Sequence, residues 1–182
     1  GLITFLRGLD YFDYDGDCNL TEMRKEGGTK IYMGDIYNSR MITVGKPNAE
    51  TKYNSEKEEA YWRALNKYDA WATAPNRANR KEIVYVGAND GMLHAIDFKT
   101  GVEKWAFIPP FILPKIVNII NPSLNNANNN PKGGSNAIFG VDGSPVQHDI
   151  FFESPFDLSP KWHTVLLVPY GRGGSGFSAL IV

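Results

Sequence analysis

Apolar positions recur along the chain with two different periods. From Ser55 to Ala72, residues Tyr61, Leu65, Tyr68 and Ala72 stand three or four apart, which puts them on one face of a helix. Ser55 and Glu58 supply the Ser-x-x-Glu capping pattern at its start, and Pro75 stops it. The spacing predicts one helix over 55–72 whose aromatic stripe packs against a core. After Lys81 the pattern shortens. Ile83 to Val86 reads as a strand, Ala88-Asn89-Asp90-Gly91 as a turn of residues that tolerate left-handed backbone, and Met92 to Phe98 as a second strand. Lys99-Thr100-Gly101 is a tight turn, and Val102 to Ile108 is a third strand closed by Pro109-Pro110. Three short strands joined so tightly form an antiparallel meander, the content of a propeller blade.

Elsewhere the pattern is sparser. Residues 1–30 are acidic and loop-like apart from a short apolar start. Lys30 to Val44 alternates enough to predict a strand pair around Gly34-Asp35, and Gly45 to Asn54 is a polar connection. Asn118 to Asn136 is an Asn/Gly/Pro-rich stretch read as a surface loop. Strands are expected over Ala137–Val146, His148–Glu153, Trp162–Val168 and Phe177–Val182. A propeller needs at least about four blades of about 40–45 residues, and roughly 100 residues from Lys81 onward hold about two. The expected fold is therefore all-β: an incomplete β-propeller with an N-terminal extension containing one helix. Residues 1–80 would carry the acidic loop, strand pair and helix, and residues 81–182 about two blades. The start lacks an initiator Met and does not read as a signal peptide, and the end falls inside a strand, so the chain is expected to be a piece of a longer one.

Composition narrows the function classes. Hydrophobic residues make up 42% and aromatics 13%, which argues for a packed, aromatic-rich β fold over a disordered chain. The 19 Lys and Arg nearly cancel the 20 Asp and Glu with no basic block, so the footprint of a nucleic-acid binder is missing. No apolar run approaches the ~20 residues of a membrane span; Phe111 to Ile120 is interrupted by Pro114, Lys115 and Asn118. The single cysteine, Cys18, allows no internal disulfide and is expected to be small and half-buried.

One segment has the chemistry of a metal loop. Calcium takes six to eight oxygens, and a loop turning on a glycine can wrap them around one ion. With Asp13 at loop position 3, Asp15 falls at 5, Gly16 at 6, Asp17 at 7, Asn19 at 9 and Glu22 at 12. Position 1 is Tyr11, with Asp10 or a water as its substitute, so a calcium loop on Asp13, Asp15, Asp17, Asn19 and Glu22 stands beside a plain solvated acidic turn. Gly171 to Gly176 formally satisfies Gly-x-Gly-x-x-Gly, but no helix follows and no ribose-binding acid lies downstream, so it reads as a hairpin loop. His94, His148 and His163 share no metal-ligand spacing, and His148 and Asp149, adjacent in a strand, must face opposite ways. No catalytic residue is expected. Asn19-Leu20-Thr21 is a formal glycosylation sequon.

Ala95-x-Asp97-x-x-Thr100-Gly101-x-x-x-Trp105 puts a turn-forming Asp, Thr and Gly before a Trp large enough to fill the gap between blades. This spacing resembles the tryptophan-docking repeat of quinoprotein-type propellers. The longer string Val84-Tyr85-Val86-Gly87-Ala88-Asn89-Asp90-Gly91-Met92-Leu93-His94-Ala95, continuing through Trp105-Ala106-Phe107-Ile108-Pro109-Pro110, closely resembles the hallmark of the PilC/PilY family of type IV pilus adhesins. Met33 to Ser39 is similar to that family's LGDIVNS segment, Val141-Asp142-Gly143-Ser144-Pro145 to its VDGSP, and Gly171 to Val182 to its glycine run before a final strand, where Ile181 stands in place of the usual Asp. The resemblance implies quinoprotein-like blades and a part in pilus biogenesis, twitching motility and surface adhesion, with calcium responsiveness. It implies partners among pilus subunits or minor pilins and host or abiotic surfaces, and a place at the bacterial cell surface, pilus tip, outer membrane or periplasm. Other readings are a fragment of a pyrroloquinoline-quinone dehydrogenase, disfavoured by the single docking motif and the absence of a cysteine pair, and a propeller of outer-membrane assembly.

Overall fold

The computed structural model describes residues 1–13, 16–26, 29–30, 33–53, 58–121, 134–135, 138–157 and 159–182. Helix α1 (Leu2–Leu6) opens the chain, followed by a two-residue ribbon of β1 (Lys25–Glu26) and β2 (Thr29–Lys30). Strand β3 (Ile42–Val44) precedes α2 (Glu58–Leu65), α3 (Tyr68–Ala72) and α4 (Pro75–Ala78). Strands β4 (Ile83–Gly87), β5 (Leu93–Asp97) and β6 (Glu103–Phe107) form the meander. After α5 (Leu113–Ile116) and a 3-10 turn, β7 (Ile120–Asn121) pairs with β8 (Gly134–Ser135). Strands β9 (Val146–Phe152), β10 (Lys161–Pro169) and β11 (Phe177–Ile181) complete it.

Two antiparallel sheets carry the architecture, ordered β3-β4-β5-β6 and β11-β10-β9, and they do not close a ring. Alternation decides which side chains share a face, and β4 and β5 are buried on both faces. Val44, Tyr85, Leu93 and Ala95 project from the first sheet and meet Leu166 and Val168 of the second, with Val141 between them, in one buried cluster. Each buried Val or Leu among them contributes about 1.5–3 kcal/mol. The turns of the first sheet follow their residues: Gly91 has φ 89 and Gly101 φ 68, and Asp97 Oδ1 accepts from the N–H groups of Lys99 and Thr100 at 3.1 Å each. A bulge between Ala95 and Ile96 leaves Lys104 unpaired in β6. Trp105 lies against Tyr85 with ring centres 5.6 Å apart and remains 39% exposed.

Several expected elements take another form. The strand pair around Gly34-Asp35 is absent among the described residues. Residues 33–41 run as an irregular segment whose polar groups bond to other loops, and only Ile42–Val44 is a strand, paired with β4. The single helix over 55–72 is broken: Lys67 adopts a left-handed φ of 55, and Trp162 Nε1 donates to the Asn66 carbonyl at 2.8 Å, taking that oxygen out of the helical ladder. The capping residue Ser55 lies outside the described residues. The break also splits the stripe, burying Tyr68 while Tyr61 and Leu65 stay about half exposed. Among the described residues the segment before β4 thus holds four short helices, where one was expected. In place of strands over Ala137–Val146 and His148–Glu153 the described residues hold one, β9, because residues 138–145 dock on neighbouring loops. The Asn-rich stretch falls mostly outside the described residues. Cys18 is exposed rather than half-buried, with φ 65, because its N–H turns inward to Asp13 Oδ1.

Candidate functional site

The three ordered motifs of the sequence meet at one end of the sheets. From the first, Gly34 N–H donates to Asp90 Oδ2 at 2.8 Å, and the Asp35 carbonyl accepts from Asn89 N–H at 2.8 Å. Asn38 bonds both oxygens of Asp142, through its N–H at 3.2 Å and Nδ2 at 2.8 Å. Ser39 Oγ accepts from Gly87 N–H at 2.9 Å, and Ser144 Oγ from Arg40 N–H at 3.1 Å. Asp90 and Asp142 are both buried, and a buried carboxylate is tolerated only when donors surround it. Residues 33–40 are thereby clasped between the 86–91 turn of one sheet and the 141–145 loop leading into the other. Glycines permit the closeness: a Cβ on Gly87 would stand 2.1 Å from the Val141 carbonyl oxygen, and one on Gly140 2.3 Å from Gly91 Cα.

His94 sits buried beneath this junction. Its Nε2 is 3.0 Å from Asp90 Oδ2 and its Nδ1 2.8 Å from Glu103 Oε1. Burial disfavours the charged ring, but hydrogen bonds and charge from Asp90 and then Glu103 outweigh it, and the pKa is raised above the ordinary value. Only the doubly protonated ring donates to both carboxylates. The stabilisation is fully present below the ordinary pKa of about 6.5 and is lost as pH rises through the higher folded value. Denaturant unfolding followed across this range should show stability falling with rising pH, and a His94→Gln variant should remove that slope; an unchanged slope would refute the assignment. Spacing alone did not mark His94, because its partners are Asp90 across a turn and Glu103 across a strand.

The acidic segment is a loop closed at its base, where Leu9 bridges Met23 and Asp10 N–H donates to the Glu22 carbonyl at 2.9 Å. Gly16 has φ 76, suited to the turn at loop position 6. Asp13 Oδ1 accepts from Cys18 N–H at 3.1 Å, Asp17 Oδ1 from Asn19 N–H at 2.7 Å, and Asn19 Oδ1 from Thr21 N–H at 3.2 Å. Glu22 Oε2 pairs with Lys25 Nζ at 3.0 Å. Asp15 lies outside the described residues, and among those described no three His, Cys, Asp or Glu side chains are grouped to hold a metal. The donor set is oxygen-only and suits a hard cation, but gathering it requires Glu22 to exchange Lys25 for the ion.

Gly171 to Gly176 forms the β10–β11 hairpin connection, as its context predicted. His148 and Asp149 do face opposite ways, one exposed and one buried. Asp149, however, anchors a network that strand reasoning missed. Its Oδ2 accepts from Tyr68 OH at 2.5 Å and its Oδ1 from Thr164 Oγ1 at 2.7 Å. Thr164 Oγ1 in turn accepts from Arg80 at 2.9 Å, and Arg80 also donates to the Gly45 and Val182 carbonyls. Burial and then the bond to Asp149 push the Tyr68 hydroxyl up to about 12. The two unusual signals were an acid within a strand and a Tyr within the helical stripe.

The family model described as PilY1 beta-propeller domain matches residues 33–182. Among curated proteins, the type IV pilus biogenesis factor PilY1 homolog of Xylella fastidiosa is 37% identical over 150 residues, 82% of this chain and 10% of that protein. Two Pseudomonas aeruginosa proteins named type IV pilus biogenesis factor PilY1 are 36% identical over 167 residues (92% of this chain, 12% of the relative) and 37% over 150 (82% and 11%). The chain thus spans about a tenth of the length of the curated relatives it matches. No solved structure matches it.

Proposed function

The chain belongs to the PilY1 β-propeller family, and from that premise we propose that it supplies two neighbouring quinoprotein-like blades of a propeller acting in type IV pilus biogenesis. The family consists of pilus biogenesis proteins rather than enzymes, and the quinone-dehydrogenase alternative falls with that membership. The observation that supports the platform role is the motif junction. It uses three polar clasps, one buried and two half-buried, to hold two sheets in fixed register, which is what a recognition surface built on several blades requires. In this reading the propeller works at the cell surface, pilus tip, outer membrane or periplasm, contacting pilus subunits or minor pilins, and serves twitching and surface attachment.

The test is made in the bacterium that encodes the chain. Cells carrying Asp90→Ala with Asp142→Ala should match a deletion of the whole gene in sheared surface pilin, twitching zone and attachment to glass. Normal piliation in the deletion strain would overturn the pilus role. Normal piliation in the double variant alone would overturn the role of these blades.

The acidic loop supports a calcium-regulated platform. Calorimetric titration of Ca²⁺ should give heat with the natural protein and a much smaller heat with an Asp15→Ala/Asp17→Ala variant. Equal heats from both would remove calcium from this loop.

A further inference from the structure

A second feature, lined by residues outside the motif junction, is a cleft at α2 and β9. Residues of α2, β9 and β10 line this half-open cleft of about 430 Å³, within the size range of small-ligand sites. Its walls are aromatic: Trp62 from the helix, Phe151 from β9 and Trp162 from β10. Trp62 is 59% exposed and Phe151 38%, so both offer ring surface to a visitor. Its polar groups are of both signs. Arg63 Nη2 pairs with Glu59 Oε2 at 2.6 Å, and His148 Nε2 lies 3.8 Å from the same oxygen.

The cleft is braced rather than loose. Trp162 donates to the Asn66 carbonyl and stands edge-on to Tyr68 with ring centres 4.9 Å apart. Arg63, only 11% exposed in its side chain, also donates to the Glu50 carbonyl at 3.2 Å. Fixed walls lower the ordering cost of binding.

We propose that this cleft binds a short neutral saccharide, one to two sugar rings in size. A sugar ring has an apolar C–H face and a rim of hydroxyls that both donate and accept. Exposed indole and phenyl faces match the first. The carboxylates of Glu58 and Glu59 offer acceptors for the second and Arg63 and His148 donors, while a third lining carboxylate, Asp149, is already bonded to Tyr68 and Thr164. An anionic ligand would meet the carboxylates of Glu58 and Glu59, and a cationic one the guanidinium of Arg63, which already occupies Glu59. The inference concerns the cleft alone and stands apart from any role in pili.

The test uses the full-length protein carrying this chain. It is passed over an array of immobilised neutral and anionic oligosaccharides and a lysine-rich peptide, and the strongest neutral binder is then titrated in solution. Trp62→Ala should weaken that affinity about tenfold or more, the loss typical of a central aromatic contact. Phe156→Ala, whose ring is 90% exposed elsewhere, should leave it unchanged, and both variants should keep the natural unfolding midpoint. Raising the salt concentration should not weaken binding. Retention of only anionic sugars or the peptide, no retention at all, or equal affinities for the natural protein and Trp62→Ala would each overturn the proposal.

Discussion

Replacing Gly173 with alanine is expected to cost the fold about 3 kcal/mol or more. The new Cβ would stand 1.6 Å from the carbonyl oxygen of Gly140. A methyl group has no rotamer by which to escape, so one backbone must withdraw by an ångström or more. Gly140 cannot yield cheaply, because its own Cβ position already lies 2.3 Å from Gly91 Cα, and Gly91 is packed on Ile112 and Ile116. The displacement therefore runs along the line Gly173, Gly140, Gly91 into the turn that carries Asp90. Gly101→Ala is the control. That residue has φ 68 with nothing within 4 Å, so alanine there meets only the left-handed backbone penalty of about 1–2 kcal/mol. Denaturant midpoints measured side by side should separate the two variants clearly, and equal midpoints would show that the loops are not packed as described.

The second large effect belongs to Asp149. Substituting alanine leaves the hydroxyls of Tyr68 and Thr164 without their acceptor and removes a carboxylate whose charge favours the half-buried Arg80 guanidinium. Taking away one member of such a network typically costs about 3–5 kcal/mol, since the remaining groups stay desolvated. Asp149→Asn should cost less, because its amide oxygen still accepts one of the two hydroxyls. The Tyr68 ring should also titrate at lower pH in both variants, which ultraviolet difference spectra can follow. A Tyr68 titration unchanged from about 12 in Asp149→Ala would contradict the bond.

These two residues mark where the sequence was readable and where it was not. The β4–β6 meander was legible because its turns are local: Gly91, Asp97 and Gly101 act on residues within four positions of themselves. The Gly171 to Gly176 hairpin was legible for the same reason. The helix over 55–72 was not, because the group that breaks it is Trp162, some 96 positions away. Likewise, residues 137–146 read as a strand, yet Gly140 to Ser144 spend their bonds and close contacts on loops of both sheets. Of the expected calcium residues, Asp13, Asp17 and Asn19 fold back on neighbouring backbone, which the residue types allowed but did not dictate. The family motifs were read as markers in order along the chain. That Asn38, Ser39, Gly87 and Asp142 bond one another depends on a three-dimensional closure that order alone does not encode.

The clasp between Asn38 and Asp142 also sets a clock on synthesis. The two residues are 104 positions apart, and at ribosomal rates the second emerges about 5–20 s after the first. During that interval the first sheet can pair its strands and form the Asp90 turn, but residues 33–40 lack half their partners and the face bearing Tyr85, Leu93 and Ala95 lacks its cover. The nascent chain must therefore be kept from premature collapse or strand pairing until the second sheet arrives. Slowing or speeding translation between the two sheets would then change the yield of soluble protein without altering a single residue.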